Sequence, residues 1–383
     1  MLALACLAAL LAGAGSLFAL AGWRAVRALP AAPTLADADC PGITVLRPLY
    51  GDEPLLEAAL LSACRQDYPR FQVVFGVQDP ADPALAVVER VRAQAPDCDI
   101  ALVRDDTAEG ANRKVANLIN MLPAAKHDIL VIADSDIHAA PGYLRTIAAA
   151  LAEPGVGLAT TLYTGLPANR SLAAALAASG ITYGFLPAAA VARRLGRQDS
   201  LGATMALRRE TLAGIGGLAV LRDDVADDNL LGRLVAAGGH RIGLAATIPS
   251  TTVPERSLAA LVRHELRWAR TIRALAPAAF AASCVQYPLA WALLALLAAG
   301  GAGWSAALFL AVWAVRAVAA RGVARAIRPP TPAPLFLLPP RDLISLGVWL
   351  AAFTGNRVDW RGRTMRVRRA SARYDLPGKP AAT

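Results

Sequence analysis

Leu2 to Ala21 is an unbroken run of 20 uncharged, mostly apolar residues. A helix of that length crosses the hydrocarbon core of a bilayer, so the run limits which folds the rest can take. A signal peptide would carry positive charge before its apolar run and a small-residue cleavage site after it. Here Arg24 and Arg27 follow the run, which predicts a retained anchor with its carboxyl side in the cytoplasm. Hydrophobic residues make up 56% of the 383, and the excess sits at the two ends, so both ends belong to a membrane region.

Between those ends, apolar runs alternate with amphipathic stretches. Strands are expected at Ile43–Leu46, Phe71–Val77, Ile100–Val103 and Ile129–Ala133, and helices at Glu53–Cys64, Ala84–Ala93 and Asn112–Leu122. This alternation predicts an α/β fold on a doubly wound, mainly parallel sheet. Beyond Pro141 the pattern loosens. Val156–Tyr163 and Leu201–Leu207 read as further strands, and Leu172–Leu195 as an Ala/Leu helix at the membrane interface.

The carboxyl-terminal part predicts an arginine-rich helix, Leu258–Leu275, then two apolar segments, Ala281–Ala299 and Trp304–Ala320, joined by the short Gly300–Gly303 loop. A third apolar region, Leu335–Phe353, is interrupted by Pro339-Pro340-Arg341-Asp342 and followed by Arg357, Arg361, Arg363 and Arg366. Basic residues on both sides predict a re-entrant or interfacial segment. The expected organisation is an anchor over 1–30, a cytoplasmic catalytic domain over 31–279, a transmembrane hairpin over 280–328, and a re-entrant or interfacial segment with a basic tail over 329–383. The net charge of +10 is arginine placed beside apolar segments, without aromatic platforms. It fits anionic lipid headgroups, and no nucleic acid partner is expected. The five cysteines show no paired spacing, which argues against a zinc site or a disulfide framework and fits a reducing compartment.

The chemistry gathers at strand ends. Ile129–Ala133 stops in Asp134-Ser135-Asp136, two carboxylates on the same side of an extended backbone. They repel unless a cation joins them, and a hard divalent ion carrying phosphate oxygens suits the pair. Asp79 ends the second strand, Asn112-Arg113-Lys114 opens a helix, and Asp227-Asp228 starts another, where the helix dipole favours the ionised form. In open α/β sheets such carboxyl-end positions converge on one crevice. His264-Glu265-Leu266-Arg267-Trp268 adds an anion-binding fork beside a surface suited to a sugar face. Alone, each has an ordinary structural reading, as an acidic turn, a cap, a solvated lysine or an interfacial tryptophan.

The order Asp, Lys, Asp-x-Asp, acidic pair, x-x-x-Arg-Trp and then apolar helices resembles the membrane-bound, inverting nucleotide-sugar glycosyltransferases of GT-A fold. Arg47-Pro48-Leu49, Gln66-Asp67-Tyr68-Pro69, Val77-Gln78-Asp79, Asp82-Pro83-Ala84 and Asn112-x-Lys114 resemble the ceramide glucosyltransferase family. Val77–Pro83, Gly110–Pro123 and Arg263–Arg273 resemble its hopanoid-biosynthesis branch, which adds N-acetylglucosamine to bacteriohopanetetrol. The resemblance implies a UDP-sugar donor, a membrane lipid alcohol as acceptor (a hopanoid, with ceramide as the alternative), a Mg²⁺ or Mn²⁺ cofactor, and a multi-pass protein of the inner membrane whose catalytic domain faces the cytoplasm. It implies uracil recognition by Asp79, diphosphate contact by Lys114, and ribose, diphosphate and metal binding by Asp134 and Asp136. It makes Asp228 the base with Asp227 beside it, and sets Arg267 and Trp268 on the acceptor and diphosphate side. His264 stands where the family pattern has Gln or Arg, which leaves its role open. A membrane-anchored binding protein without catalysis is the rival from another class.

Overall fold

The computed structural model describes residues 1–30, 35–355, 357–360 and 363–366. Arg361 lies outside them, as do the side chains of Arg357, Arg363 and Arg366, so the basic tail read from the sequence is not described further. In chain order the strands are β1 (Ile43–Pro48), β2 (Phe71–Val77), β3 (Asp99–Arg104), β4 (Ile129–Ala133), β5 (Ile137–His138), β6 (Val156–Thr160), β7 (Thr164–Pro167), β8 (Thr204–Arg208), β9 (Arg241–Leu244), β10 (Ser250–Val253), β11 (Arg357–Trp360) and β12 (Arg363–Arg366). The chain divides into two compact units that alternate along the sequence. Among the described residues an α/β unit comprises Pro30–Tyr163 and Arg197–Thr252, and a helical unit comprises Met1–Leu29, Thr164–Gly196 and the residues from 253 to 366.

The α/β unit is built on a seven-stranded sheet of order β3-β2-β1-β4-β8-β6-β9. β1 runs parallel to β2 and β4, with Val45 opposite Val73 and Val131. β8 runs antiparallel to both β4 and β6, which makes the sheet mixed. Every residue of β4 is buried, as a strand covered on both faces requires. Alternation splits its side chains between two cores. Val131 packs with Val45, Phe75 and the helix Tyr143–Ala152 on one face. Leu130 and Ile132 pack with Leu118, Met205 and Leu231 on the other. Ile132→Ala would open a cavity there at a cost of about 2–5 kcal/mol.

Two expected boundaries move, for local reasons. The first helix starts at Leu56 rather than Glu53, because Leu55 takes a left-handed backbone at φ 61°. The strand expected from Leu201 starts at Thr204, because Leu201–Thr204 closes a turn through Gly202.

The helical unit holds four helices long and apolar enough to cross a membrane: Leu2–Arg27, Leu172–Arg194, Gly303–Ile327 and Leu335–Ala352. Pro277–Gln286 and Pro288–Ala298 together make a fifth candidate, bent by 64°. Small residues let these helices approach. A methyl group at Gly15 would run into the Val285 carbonyl, and one at Gly322 into the Trp23 indole. Pro339 and Pro340 do not break the third apolar region. They sit in the first turn of the helix Leu338–Ala352, where no intrahelical N–H is needed. Arg341 and Asp342 are correspondingly buried, at 3% and 2% exposure, instead of marking a surface loop.

Candidate active site

β4 ends at Ala133 and the chain turns sharply, with the Ile137 amide donating to the Asp134 carbonyl at 3.3 Å. Arg47 fixes this turn from beneath. Its guanidinium is fully buried, and Nη1 donates to the carbonyls of Asp134 at 2.8 Å and Ile137 at 2.9 Å. Burial lowers the Arg47 pKa, and the nearby Asp136 and Asp134 charges oppose that shift. Ser135 points elsewhere and donates to Glu53 Oε2 at 2.6 Å.

The two carboxylates are held differently. Asp134 Oδ1 pairs with Lys114 Nζ at 2.7 Å. Asp136 Oδ2 accepts from the Thr251 hydroxyl at 2.5 Å, a contact made possible because β10 pairs antiparallel with β5. Burial and the Asp134 charge push Asp136 up to about 7, far above an ordinary carboxyl.

Lys114 comes from the first turn of the helix Arg113–Met121. Asn112 caps that helix by accepting the Val115 amide at 3.2 Å. Its Nδ2 donates to the Asp224 carbonyl at 2.8 Å and to Asp227 Oδ1 at 3.3 Å, so the cap also anchors the acidic segment. Lys114 Nζ lies 3.4 Å from Asp227 Oδ2, an ion pair too long for a strong hydrogen bond. Burial lowers the Lys114 pKa, but Asp134 and Asp227 outweigh it and raise the value well above that of a free lysine.

Asp228 opens the helix Asp227–Ala237. Its Oδ1 accepts the Asn229 amide at 2.7 Å and its Oδ2 the Gly202 amide at 2.9 Å. Burial and the adjacent Asp227 push Asp228 up to about 6, while Lys114 pulls the other way. Gly202 has no side chain for a reason visible here. A Cβ would lie 3.3 Å from Asp228 Oδ2 and 3.7 Å from Asp134 Oδ2, in the space the two carboxylates share. Tyr163 borders the same charges. Burial raises its hydroxyl pKa, and Asp228, Asp134 and Asp136 raise it further.

A divalent cation fits this donor set. Asp134 and Asp136 are hard oxygen ligands whose mutual repulsion a cation would relieve. Among the described residues no group of three or more His, Cys, Asp or Glu side chains forms a protein-only cage. The chemistry therefore suits an ion completed by phosphate oxygens, the usual habit of Mg²⁺.

The structure brings together Lys114, Asp134, Asp136, Asp227 and Asp228. Asp79 stands exposed at the end of β2, its Oδ1 accepting the Ala81 amide at 2.8 Å, and no described contact joins it to the cluster. His264, Arg267 and Trp268 belong to the helical unit, on the helix Leu258–Leu275. There His264 Nδ1 pairs with Glu255, and its ring meets Trp268 edge-on with centroids 4.4 Å apart. Burial works to raise the Glu255 pKa, but the His264 hydrogen bond and charge hold it below the ordinary value. Four supports escaped the sequence reading: the buried Arg47, Thr251, Gly202 and Glu255. Only Arg47 left a signal, as a charge at the end of an apolar strand.

Comparison with known proteins bears on this geometry. A mannosyltransferase, PcManGT from Pyrobaculum calidifontis, solved with GDP-Man and Mn²⁺, superposes with a TM-score of 0.50 at 22% identity, over 92% of this chain and 98% of that one. That likeness is one of fold, and the fold is the GT-A-like glycosyltransferase fold. A ceramide glucosyltransferase of Komagataella phaffii is 36% identical over 107 residues, and one of Candida albicans 33% over 116. Each match covers 27% of this chain and 21% of the relative, so the chain matches about a fifth of the length of these relatives. The sequence profile of glycosyl transferase family 21 matches residues 2–372, and the chain belongs to that family.

Proposed function

We propose that this protein transfers a sugar from a UDP-sugar to a hydroxyl of a membrane lipid, with inversion at the anomeric carbon. One observation carries the reading: Asp134 and Asp228 share the space above Gly202, and Lys114 bridges Asp134 to Asp227 beside it. Direct displacement needs a base for the attacking hydroxyl on one face and positive charge for the diphosphate leaving on the other. Asp228 takes the acceptor proton, and its raised pKa makes it a stronger base than an ordinary aspartate. Lys114 contacts the diphosphate, its ammonium set between Asp134 and Asp227, and Asn112 holds Asp227. A single base and no covalent partner give inversion, as in glycosidases that divide two roles across the sugar. Asp134 and Asp136 would hold a divalent ion, which would supply Lewis acidity toward the diphosphate. Asp79 recognises the uracil, and Arg267 and Trp268 serve the acceptor side.

For the acceptor, the ceramide names of the relatives in this family support a long-chain amide alcohol over bacteriohopanetetrol. The hopanoid reading rests on Val77–Pro83, Gly110–Pro123 and Arg263–Arg273 alone. Arginines in the last turns of Leu2–Arg27 and Gly303–Ile327 support a cytoplasmic active site. The test is the full chain in nanodiscs with labelled UDP-glucose or UDP-N-acetylglucosamine, offered ceramide and bacteriohopanetetrol side by side. Glycosylated ceramide is the expected product. A labelled hopanoid alone would reverse the choice of acceptor, and no transfer to any lipid would overturn the enzyme reading.

A further inference from the structure

A carboxylate taken out of water is costly unless a cation and hydrogen bonds answer it. The Glu255 side chain is 6% exposed, and its Oε1 pairs with Nδ1 of His264, on the helix Leu258–Leu275. Burial works against the Glu255 charge, but the hydrogen bond and charge of His264 outweigh it, and the charge of Arg267 adds to them. His264, Arg267 and Trp268 stand at i, i+3 and i+4, so one face of the helix carries all three. One buried carboxylate thus acts on the face that the sequence singles out for anion and sugar contact.

Glu255 is anchored independently of that helix. Its carbonyl accepts the Ser171 hydroxyl at 3.0 Å. Asn169 Nδ2 donates to the Pro254 carbonyl at 3.3 Å, and the Ala168 amide to the Val253 carbonyl at 3.0 Å. Ser171 also caps the helix that starts at Leu172, accepting the Ala174 amide at 3.1 Å. The segment Val253–Glu255 is therefore tied to Ala168–Ser171, and the carboxylate offers His264 a fixed point.

The imidazole passes this anchoring on. A carboxylate partner requires a proton on Nδ1 and fixes the orientation of the ring. The ring then meets the Trp268 indole edge-on, with centroids 4.4 Å apart and planes at 64°, an arrangement that aromatic pairs favour. The His264 side chain is 32% exposed, so close packing does not hold it and the bond to Glu255 must. For stability alone, a well-packed apolar pair would serve as well as this buried ionic one. What the ionic pair adds is a defined ring orientation beside Trp268.

We propose that Glu255 is a positioning residue: through His264 it sets the plane of the Trp268 indole, and with it the surface that receives the acceptor. Its effect falls on acceptor binding and leaves the donor alone. The inference rests on the reading above that Arg267 and Trp268 serve the acceptor side. The test uses the full chain in nanodiscs with fluorotryptophan in place of tryptophan, the Trp268 fluorine NMR line being assigned by its loss in Trp268→Phe. Glu255→Ala is expected to shift or broaden that line while the lines of the other tryptophans stay. The acceptor KM should rise about tenfold and the nucleotide-sugar KM should hold. Glu255→Gln, whose amide oxygen can still accept from Nδ1, should recover most of both effects. If Glu255→Ala does not fold, His264→Ala cuts the same link from the other side, with the same line shift and the same split in KM expected. An unmoved Trp268 line overturns the proposal, and so does a moved line with the acceptor KM unchanged or with both KM values raised alike. In a protein that transfers no sugar, the NMR line alone decides whether Glu255 positions Trp268, so failure of the enzyme reading is told apart from failure of this one.

Discussion

The two units each bury a group of charges, and they balance them in opposite ways. In the helical unit, Arg316 faces Asp342 and Arg341 forms a two-pronged pair with Glu265 at 2.7 and 2.5 Å. Two cations meet two carboxylates. In the α/β unit, Lys114 and the buried Arg47 face Asp134, Asp136, Asp227 and Asp228, so two cations meet four carboxylates. A matched set can be closed by its own members and serves as scaffold. An unmatched set holds an excess of negative charge that a compact fold would not keep for stability, and it leaves work for a cation and a substrate. The α/β cluster is unfinished in that sense, whereas among the described residues the Arg316, Asp342, Arg341 and Glu265 set is matched in charge.

The largest effect that would break this contrast is metal removal. With the donor diphosphate and an ion completing Asp134 and Asp136, excess chelator should abolish transfer, and Mg²⁺ or Mn²⁺ should restore it. Full activity in chelator would mean that the acidic excess has another purpose.

Next comes the base. Asp228→Asn keeps the size of the side chain but can accept only one of the Gly202 and Asn229 amides and removes proton acceptance, and should cost about 100- to 10,000-fold in transfer rate. Donor affinity, measured on the same variant, should survive. If it collapses with the rate, Asp228 is a donor ligand instead.

The helical network answers to stability. Glu265→Gln leaves the Arg341 guanidinium, 4% exposed, without its countercharge. A loss of about 3–5 kcal/mol is expected, read from thermal unfolding in detergent. Replacing both members with apolar residues of similar volume should recover most of it. A stable Glu265→Gln protein would show that the balanced set is not scaffold.

These contrasts also mark what the sequence could disclose. Ile129–Ala133 was legible as a buried strand because its side chains leave no polar face, and Leu258–Leu275 as an arginine-rich helix ahead of the apolar segments. Strand direction was not legible. β8 is as apolar as a parallel strand, and only the route of the chain through Thr164–Gly196 turns it antiparallel. The acidic members of the site could be read from their places at strand ends and a helix start. Their supports could not, since Thr251 reaches Asp136 across 115 residues and nothing local distinguishes it from its neighbours. His264 shows the same limit. Its departure from the family pattern was visible, but the buried Glu255 that fixes its ring becomes apparent only when the two are packed together.

The smallest expected effect is on pH dependence, and it sharpens the contrast by asking which carboxylate titrates. Burial and Asp227 set Asp228 at about 6. Above that value the carboxylate is free to accept the hydroxyl proton, and below it the group is already protonated. The transfer rate should therefore fall about tenfold for each pH unit below 6. Asp136, at about 7 through burial and the Asp134 charge, would add a second limb if nothing neutralised it. A bound cation opposes both of those causes, since its charge favours the ionised form. With saturating Mg²⁺ only the limb near 6 should remain, and as the ion becomes limiting the limb should move toward 7, because proton and cation compete for Asp136. The residual activity of Asp228→Asn should lack the limb near 6. A limb that survives in that variant would place the base elsewhere, with Asp227 the first position to test.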